Sequence, residues 1–326
     1  MFMSKNVRLR MMDFQLAGGK DVFLRNSAFD LSPAINAILD RVEKVRSHLN
    51  GRPLVVLMGE DHRISSHIIL QLLTLSKLHR KYKRDVGFSA ELPYNVAIPL
   101  WMQRGHSIEE AKIILSGDSD GQLSLKEILN RELSIDAIQS HGALWNHCLT
   151  KGISTCFADA AEHPKNGSWI DWEDEKVREA ASIGHLNGIS HLNATTSVGV
   201  DVRNIFMSKQ VASHMKCSGI QVMVMGVGAA HIFGLQEKYE FEGSLARHFE
   251  RANIPFIAIM PFGRALSIHQ IPTEASRFFG HTIGIVGMDE TSFPMEKIGG
   301  TLKEEADYIS AIIQSSGELA RAPMPI

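Results

Sequence analysis

Cysteine is scarce in this chain of 326 residues. The three present, Cys148, Cys156 and Cys217, are odd in number and share no CxxC spacing. That excludes a disulfide framework and a thiolate zinc site, and fits a reducing compartment. Excess charge is lacking too. Lys and Arg total 34 against 36 Asp and Glu, a formal net charge of −2, so there is no electrostatic footprint for a nucleic-acid partner. Long apolar runs are absent: nothing approaches the roughly 18 apolar residues of a transmembrane helix. The first 25 residues contain no apolar stretch of signal-peptide length, so the expected location is cytoplasmic, or secreted by a signal-peptide-independent route. Several catalytic signatures are also missing. There is no G-x-S-x-G elbow, no H-E-x-x-H and no Walker loop, which disfavours an ordinary α/β-hydrolase, a zincin and a P-loop NTPase.

What is present is ordinary globular material, 44% hydrophobic and 21% charged, enough for a sizeable core. Five short apolar runs alternate with helical periodicities. The runs are PLVVLMG (53–59), DVGFSAE (85–91), ISTCFADA (153–160), IQVMVMG (220–226) and PFIAIMPF (255–262). Continuous apolar runs of this length are the pattern of strands covered on both faces. The helices between them are predicted over 32–49, opening on Ser32 as N-cap with Pro33 at the first helical position, and over 64–82, 202–216 and 244–253. The fold class is therefore α/β, with a mostly parallel central sheet flanked by helices and with helical insertions between strands. The expected organisation is an N-terminal extension and helix (1–50), a core over 51–275, and a C-terminal extension (276–326). The core carries a helical insertion at 95–150 and a polar, lid-like excursion at 161–200.

In a parallel sheet the strand carboxyl ends share one edge, where working residues collect. Glu60 and His62 end the first strand, in VVLMGEDH; Glu91 ends the second, in FSAELP; Asp159 ends the third; His231 follows the fourth, in MGVGAAH. Three carboxylates and two imidazoles around one cleft suit general acid–base chemistry on a water, or a divalent metal ion. Gly59, Gly226 and Gly228 are expected to supply unusual backbone angles and close approach, and the helix after the strand to offer its amino end to an anion. Each residue also has a plainer role open to it: a helix cap for either histidine or for Asp159, an arginine partner for Glu91. GVGAAH resembles a truncated dinucleotide fingerprint, but His231 replaces its third glycine and no acidic residue ends the next strand. His163, His185 and His191 lie in the polar excursion, within reach of the cleft as lid residues or solvated as loop residues. His67 and His79 are expected to be structural, Cys156 a buried core residue. Trp101, Trp145, Trp169 and Trp172 are expected to pack the insertions down.

The motifs together resemble those of the erythromycin esterase, ChaN and TIKI/TraB superfamily. GEDH (59–62) resembles its G-E-x-H motif, GAAH (228–231) its G-x-x-H motif, and VRNIFMSKQV (202–211) its Arg-Asn helix motif. The glutamate of AELP and the aspartate of FADAA fall where related chains carry acidic residues, and the resemblance spans roughly 52–262. It implies an α/β protein with lactone-hydrolysing, metal-dependent proteolytic, or haem- and iron-binding activity. It also implies catalytic roles for Glu60, His62, Glu91 and His231, which double as candidate ligands for a divalent metal. Arg203, Asn204, Gly228 and Asp159 become substrate-binding or orienting residues. On their own chemistry, Arg203 suits a bidentate carboxylate contact at a helix start and Asn204 can orient a water or ligate a metal; an ion pair pinning helix to sheet is the plainer alternative. Three functions follow: a hydrolase acting on a small-molecule or peptide ester or amide; a non-catalytic module binding a metal, haem (through His62 or Tyr94) or another ligand; and a bacterial effector domain with a host target.

Overall fold

The computed structural model describes residues 23–25, 31–93, 144, 147–148, 151–159, 175, 185–186, 189–190, 197–236, 238–263 and 266–288. The predicted insertion helices, the tryptophans, Tyr94, His163, His191 and the C-terminal extension beyond residue 288 lie outside them. Strands are β1 (Phe23–Arg25), β2 (Leu54–Glu60), β3 (Val86–Pro93), β4 (Ser154–Asp159), β5 (His185–Leu186), β6 (Ile189–Ser190), β7 (Val222–Gly228), β8 (Phe256–Phe262) and β9 (Thr282–Val286). Helices are α1 (Ser32–Arg46), α2 (Ser65–Tyr82), α3 (Ser197–Ser218), α4 (Ala229–Phe233) and α5 (Leu245–Arg251). Seven strands form one sheet in the order β1-β9-β8-β2-β7-β3-β4, and every neighbouring pair is parallel. β5 and β6 make a separate antiparallel pair. Among the described residues no helix is long and apolar enough to cross a membrane.

β2 lies at the centre, between β7 and β8. Its residues are buried throughout and divide by parity between two cores, as the two-residue side-chain period of a strand requires. Leu54, Val56 and Met58 join α1 and α2, through Ile35, Ile38, Ile68 and Leu72. Val55 and Leu57 join α3 and α5, through Met207, Val211, Leu245 and Phe249. The second core holds an aromatic cluster in which the Phe256 and Phe278 rings lie 5.3 Å apart. Helices on both faces explain the continuous apolar runs.

The structure departs from the sequence expectations in particular places. Two strands, β1 at the sheet edge and β9 between β1 and β8, add to the five predicted. β1 has three residues that pair only with β9 and carries no pattern of its own. β9, TIGIV, has four β-branched residues around a central glycine, a short strand signal that the sequence reading passed over. The α1 N-cap is Leu31, not Ser32, with Pro33 still inside the first turn. α3 starts at Ser197, earlier than expected, because burial of Gly199, Val200 and Val202 overrides the weak helix propensity of TTSVGV.

Gly59 and Gly228 couple β2 and β7 to the helix that follows. Gly228 is the residue before α4, and α4 packs back onto β2 at Gly59. A Cβ at Gly59 would lie 3.1 Å from Ala229 Cβ, 3.2 Å from Ile232 Cδ1 and 3.2 Å from the Ile259 carbonyl oxygen. A backbone carbonyl of a central strand cannot yield, so Gly59→Ala should destabilise the fold by about 1–3 kcal/mol. A lowered denaturant midpoint at unchanged m-value is the expected measurement.

Candidate functional site

The carboxyl ends of β2, β7, β3 and β4 bring the charged residues together. β2 closes on Glu60, whose register partner in β7 is Gly228. Glu91 follows Ala90, the β3 partner of Gly226. Asp159 is the last residue of β4. α3 crosses these ends and contributes Arg203 and Asn204, and α4 contributes His231.

The Arg203 guanidinium is the hub. Its Nε donates to Asp159 Oδ1 at 3.0 Å, and its Nη2 donates to Asp159 Oδ2 at 2.6 Å and to Glu91 Oε1 at 2.5 Å. The other Glu91 oxygen, Oε2, accepts from the Gly228 backbone N–H at 2.7 Å. Burial pushes the Glu91 carboxyl up, but His231, Arg203 and His62 more than offset this and hold it well below the usual carboxylate range. Burial opposes the charge on Arg203, and Asp159 and Glu91 raise its pKa nonetheless.

His231 is oriented through its far nitrogen. Asn204 Nδ2 donates to the Gly243 carbonyl at 2.8 Å, which turns Asn204 Oδ1 towards His231, and His231 Nδ1–H donates to that oxygen at 2.6 Å. The remaining nitrogen, Nε2, faces Glu91 Oε1 at 3.1 Å and Arg203 Nη1 at 3.5 Å. Asn204 is fully buried and both its amide groups are engaged. Its place is behind the histidine, not against a substrate carbonyl or a metal. Arg203 and Asn204 also lie in the second turn of α3, not at a helix start.

His62 stands apart in exposure. Its side chain is 41% exposed, against 5% for Glu60, 7% for Glu91, 8% for His231 and 12% for Arg203. Nδ1 donates to Glu60 Oε1 at 2.6 Å, while Nε2 lies 3.7 Å from Glu91 Oε2, too far for a hydrogen bond. Burial lowers the imidazole pKa, but the hydrogen bond and charge of Glu60, with the charge of Glu91, raise it to about 9. At neutral pH the ring is an imidazolium able to give a proton from Nε2.

The glycines work by leaving space. Gly59, Gly226 and Gly228 are not among the residues with positive φ, and Gly228 has φ −50°. A Cβ at Gly228 would stand 3.2 Å from Glu91 Oε2 and 3.4 Å from His62 Nε2. The helix after β7 has five residues and makes no anion site.

The donor set does not fit a divalent metal. A metal ion between Glu91 and Asp159 would need the place that the Arg203 guanidinium takes with its own positive charge. Among the described residues no group of three or more His, Cys, Asp or Glu side chains is arranged to hold a metal ion.

Gln71 and His67 of α2 were not singled out by sequence as site residues, yet both touch this edge. Gln71 Nε2 donates to Glu60 Oε2. His67 Nδ1 accepts from the Asp61 backbone N–H at 3.0 Å, and its Nε2–H donates to the Met288 carbonyl at 2.7 Å, tying β2's end to the chain after β9. The available signal was polarity on a buried helix face: Gln71 is four residues after His67, between Ile68 and Leu72. Asp61 holds Arg63 in a two-point pair, and that hydrogen bond lowers its pKa. His79 is remote, at the far end of α2. Cys156 is buried, and burial pushes its thiol to about 12, which rules it out as a thiolate nucleophile at neutral pH.

Arg203→Met leaves Glu91 and Asp159 as buried carboxylates without their cation and should destabilise the protein by about 3–5 kcal/mol at pH 7. Chemical denaturation should show a smaller loss in mild acid, where the orphaned carboxylates protonate. His62 gives a second pH signature. Its pKa is higher folded than unfolded, so its stabilisation is complete below pH 6.5 and is lost as pH rises towards about 9. The stability difference between wild type and His62→Gln should therefore shrink across that window.

No family model matches the chain, and no curated protein matches it in sequence. Among solved structures, the chain is similar to one described as cofacial heme binding to ChaN of Campylobacter jejuni. That similarity has 9% identity and a TM-score of 0.39, and covers 70% of this chain and 89% of that one.

Proposed function

We propose that the protein is a hydrolase of the erythromycin esterase, ChaN and TIKI/TraB type, cleaving an ester or amide without a metal. One observation carries this. His62 presents Nε2 from a partly exposed ring whose Nδ1 is bonded to Glu60, beside a second imidazole whose Nδ1–H is committed to Asn204. The Glu60 bond at Nδ1 keeps this half-exposed ring charged, so its Nε2–H is a proton it can give at the cleft.

In this mechanism the water oxygen bonds to the substrate carbonyl carbon and the water proton passes to solvent. His62 Nε2–H protonates the leaving oxygen or nitrogen as the carbonyl–leaving-group bond breaks, and His62 regains its proton from solvent. His231, held between Asn204 and Glu91, keeps that carboxylate in place beside His62. The raised pKa makes His62 the acid rather than the water-activating base. Glu60 keeps it charged, and Arg203 keeps Glu91 an anion beside it. Acid–base assistance of this kind contributes roughly 10²–10⁴-fold. Glu60→Gln and His62→Ala should each lower kcat for an alkyl ester, whose leaving group needs protonation, by about that factor. In wild type kcat should fall as pH rises through about 9, and in Glu60→Gln the falling limb should move to lower pH. An alkyl ester series followed from pH 6 to 10 tests it. Full activity in His62→Ala would sink the proposal.

The same ring favours a second reading, a haem-binding module. Ligating imidazoles commonly hold a carboxylate on their other nitrogen, and His62 has that arrangement. His62 would hold a bound haem, whose iron would supply ligand or electron chemistry. A Soret shift on haem addition that His62→Ala abolishes is the expected result if this holds, and an identical shift in both proteins would reject His62 as the ligand.

A further inference from the structure

Gln71 is 1% exposed, on a buried face of α2 that also carries Ile68, Leu75, His67 and Thr74. An amide at such a position is costly unless bonded, and leucine would pack there by default. It lies instead against the carboxylate that serves His62, donating from Nε2 to Glu60 Oε2. The opposite wall is equally specific. Gly226 of β7 pairs with Met58 of β2 and Ala90 of β3. A Cβ there would lie 2.2 Å from Gln71 Oε1 and 2.9 Å from its Cδ. Even alanine at 226 would expel the amide. A missing side chain in a central strand and a polar one on a buried helix face thus form one slot, ending at Glu60.

We infer that Gln71, seated in the space left by Gly226, is a positioning residue that fixes the Glu60 carboxylate for its bond to His62. The inference rests on the reading of Glu60 and His62 as a working pair. Glu60 is gripped on both oxygens, Oε1 by His62 and Oε2 by Gln71, so its plane cannot turn without breaking one bond. The charge-assisted amide bond also spreads the carboxylate charge. The effect on substrate is indirect: Gln71 sets Glu60, and Glu60 sets the imidazole. Misplacement of a catalytic group by a fraction of its bond length reduces turnover more than binding.

The test uses the full chain with ¹⁵N-labelled histidine. The His62 Nδ1–H proton in its 2.6 Å bond to Glu60 should give a downfield resonance, identified by its loss in His62→Gln. In Gln71→Met, close in size and apolar, that resonance should move upfield or vanish into exchange. The resonance of His67 Nε2–H, bonded to Met288 one turn earlier on α2, should stay put and report an intact helix. Gly226→Ala should do the same with Gln71 still present, and the double variant should add nothing. On an alkyl ester, Gln71→Met should lose about 10- to 100-fold in kcat with KM little changed. An unmoved His62 resonance in both single variants overturns the inference, whatever the activity. A moved resonance in a protein that hydrolyses no ester upholds the positioning role and rejects the hydrolase.

Discussion

Arg203 is the constraint on which the rest of the site depends. Three strand ends deliver three carboxylates to one sheet edge, and like charges at that spacing repel. A single guanidinium from α3 meets Asp159 with two nitrogens and Glu91 with one. The pairing ties β3, β4 and α3 together at the edge. It keeps Glu91 ionised despite burial, so the Gly228 N–H and both histidines face a fixed anion. A guanidinium also serves differently from a metal ion. It satisfies planar oxygens with directed bonds and cannot release them to a substrate oxygen.

Around that hub the site separates into orienting groups and one exposed group. Asn204, Gly243 and Gln71 are behind the line, each holding something that holds something else. His231 is buried, with Nδ1 on Asn204 and Nε2 against Glu91. His62 alone in this set combines substantial exposure with a carboxylate on its far nitrogen. The energetic logic is that of buried polar networks: members satisfied by one another are rigid, and a rigid network can bias the proton on a partly solvated ring.

Glycine has a different part from the one its chemistry first suggests. Conformational freedom is the usual reason for glycine after a strand, yet Gly59, Gly226 and Gly228 make no use of it. Each is a place where another group must come close: α4 at Gly59, the Gln71 amide at Gly226, the Glu91 carboxylate and His62 ring at Gly228. The glycine of the GEDH segment thus admits the helix that carries the histidine of GAAH, which physically links two motifs some 170 residues apart in the chain.

The sequence by itself determined the α/β class, five of the seven strands of the main sheet and the edge at which Glu60, His62, Glu91, Asp159 and His231 gather. Those features follow from local periodicity and from the geometry of parallel strands, both visible in one chain. Only the tertiary structure decided the rest. β1 is a strand because β9 pairs with it, not because of its own residues. Arg203 could equally have faced a substrate; two buried carboxylates claim it. Asn204 could have oriented a water; the Gly243 carbonyl and His231 take both ends of its amide. His62 has the ordinary pKa of an imidazole until Glu60 and Glu91 are packed against it. Gln71 matters only because Gly226, some 155 residues away in the chain, leaves room for it. Side-chain partnership across elements is set by which groups become buried together, and burial is a property of the whole fold.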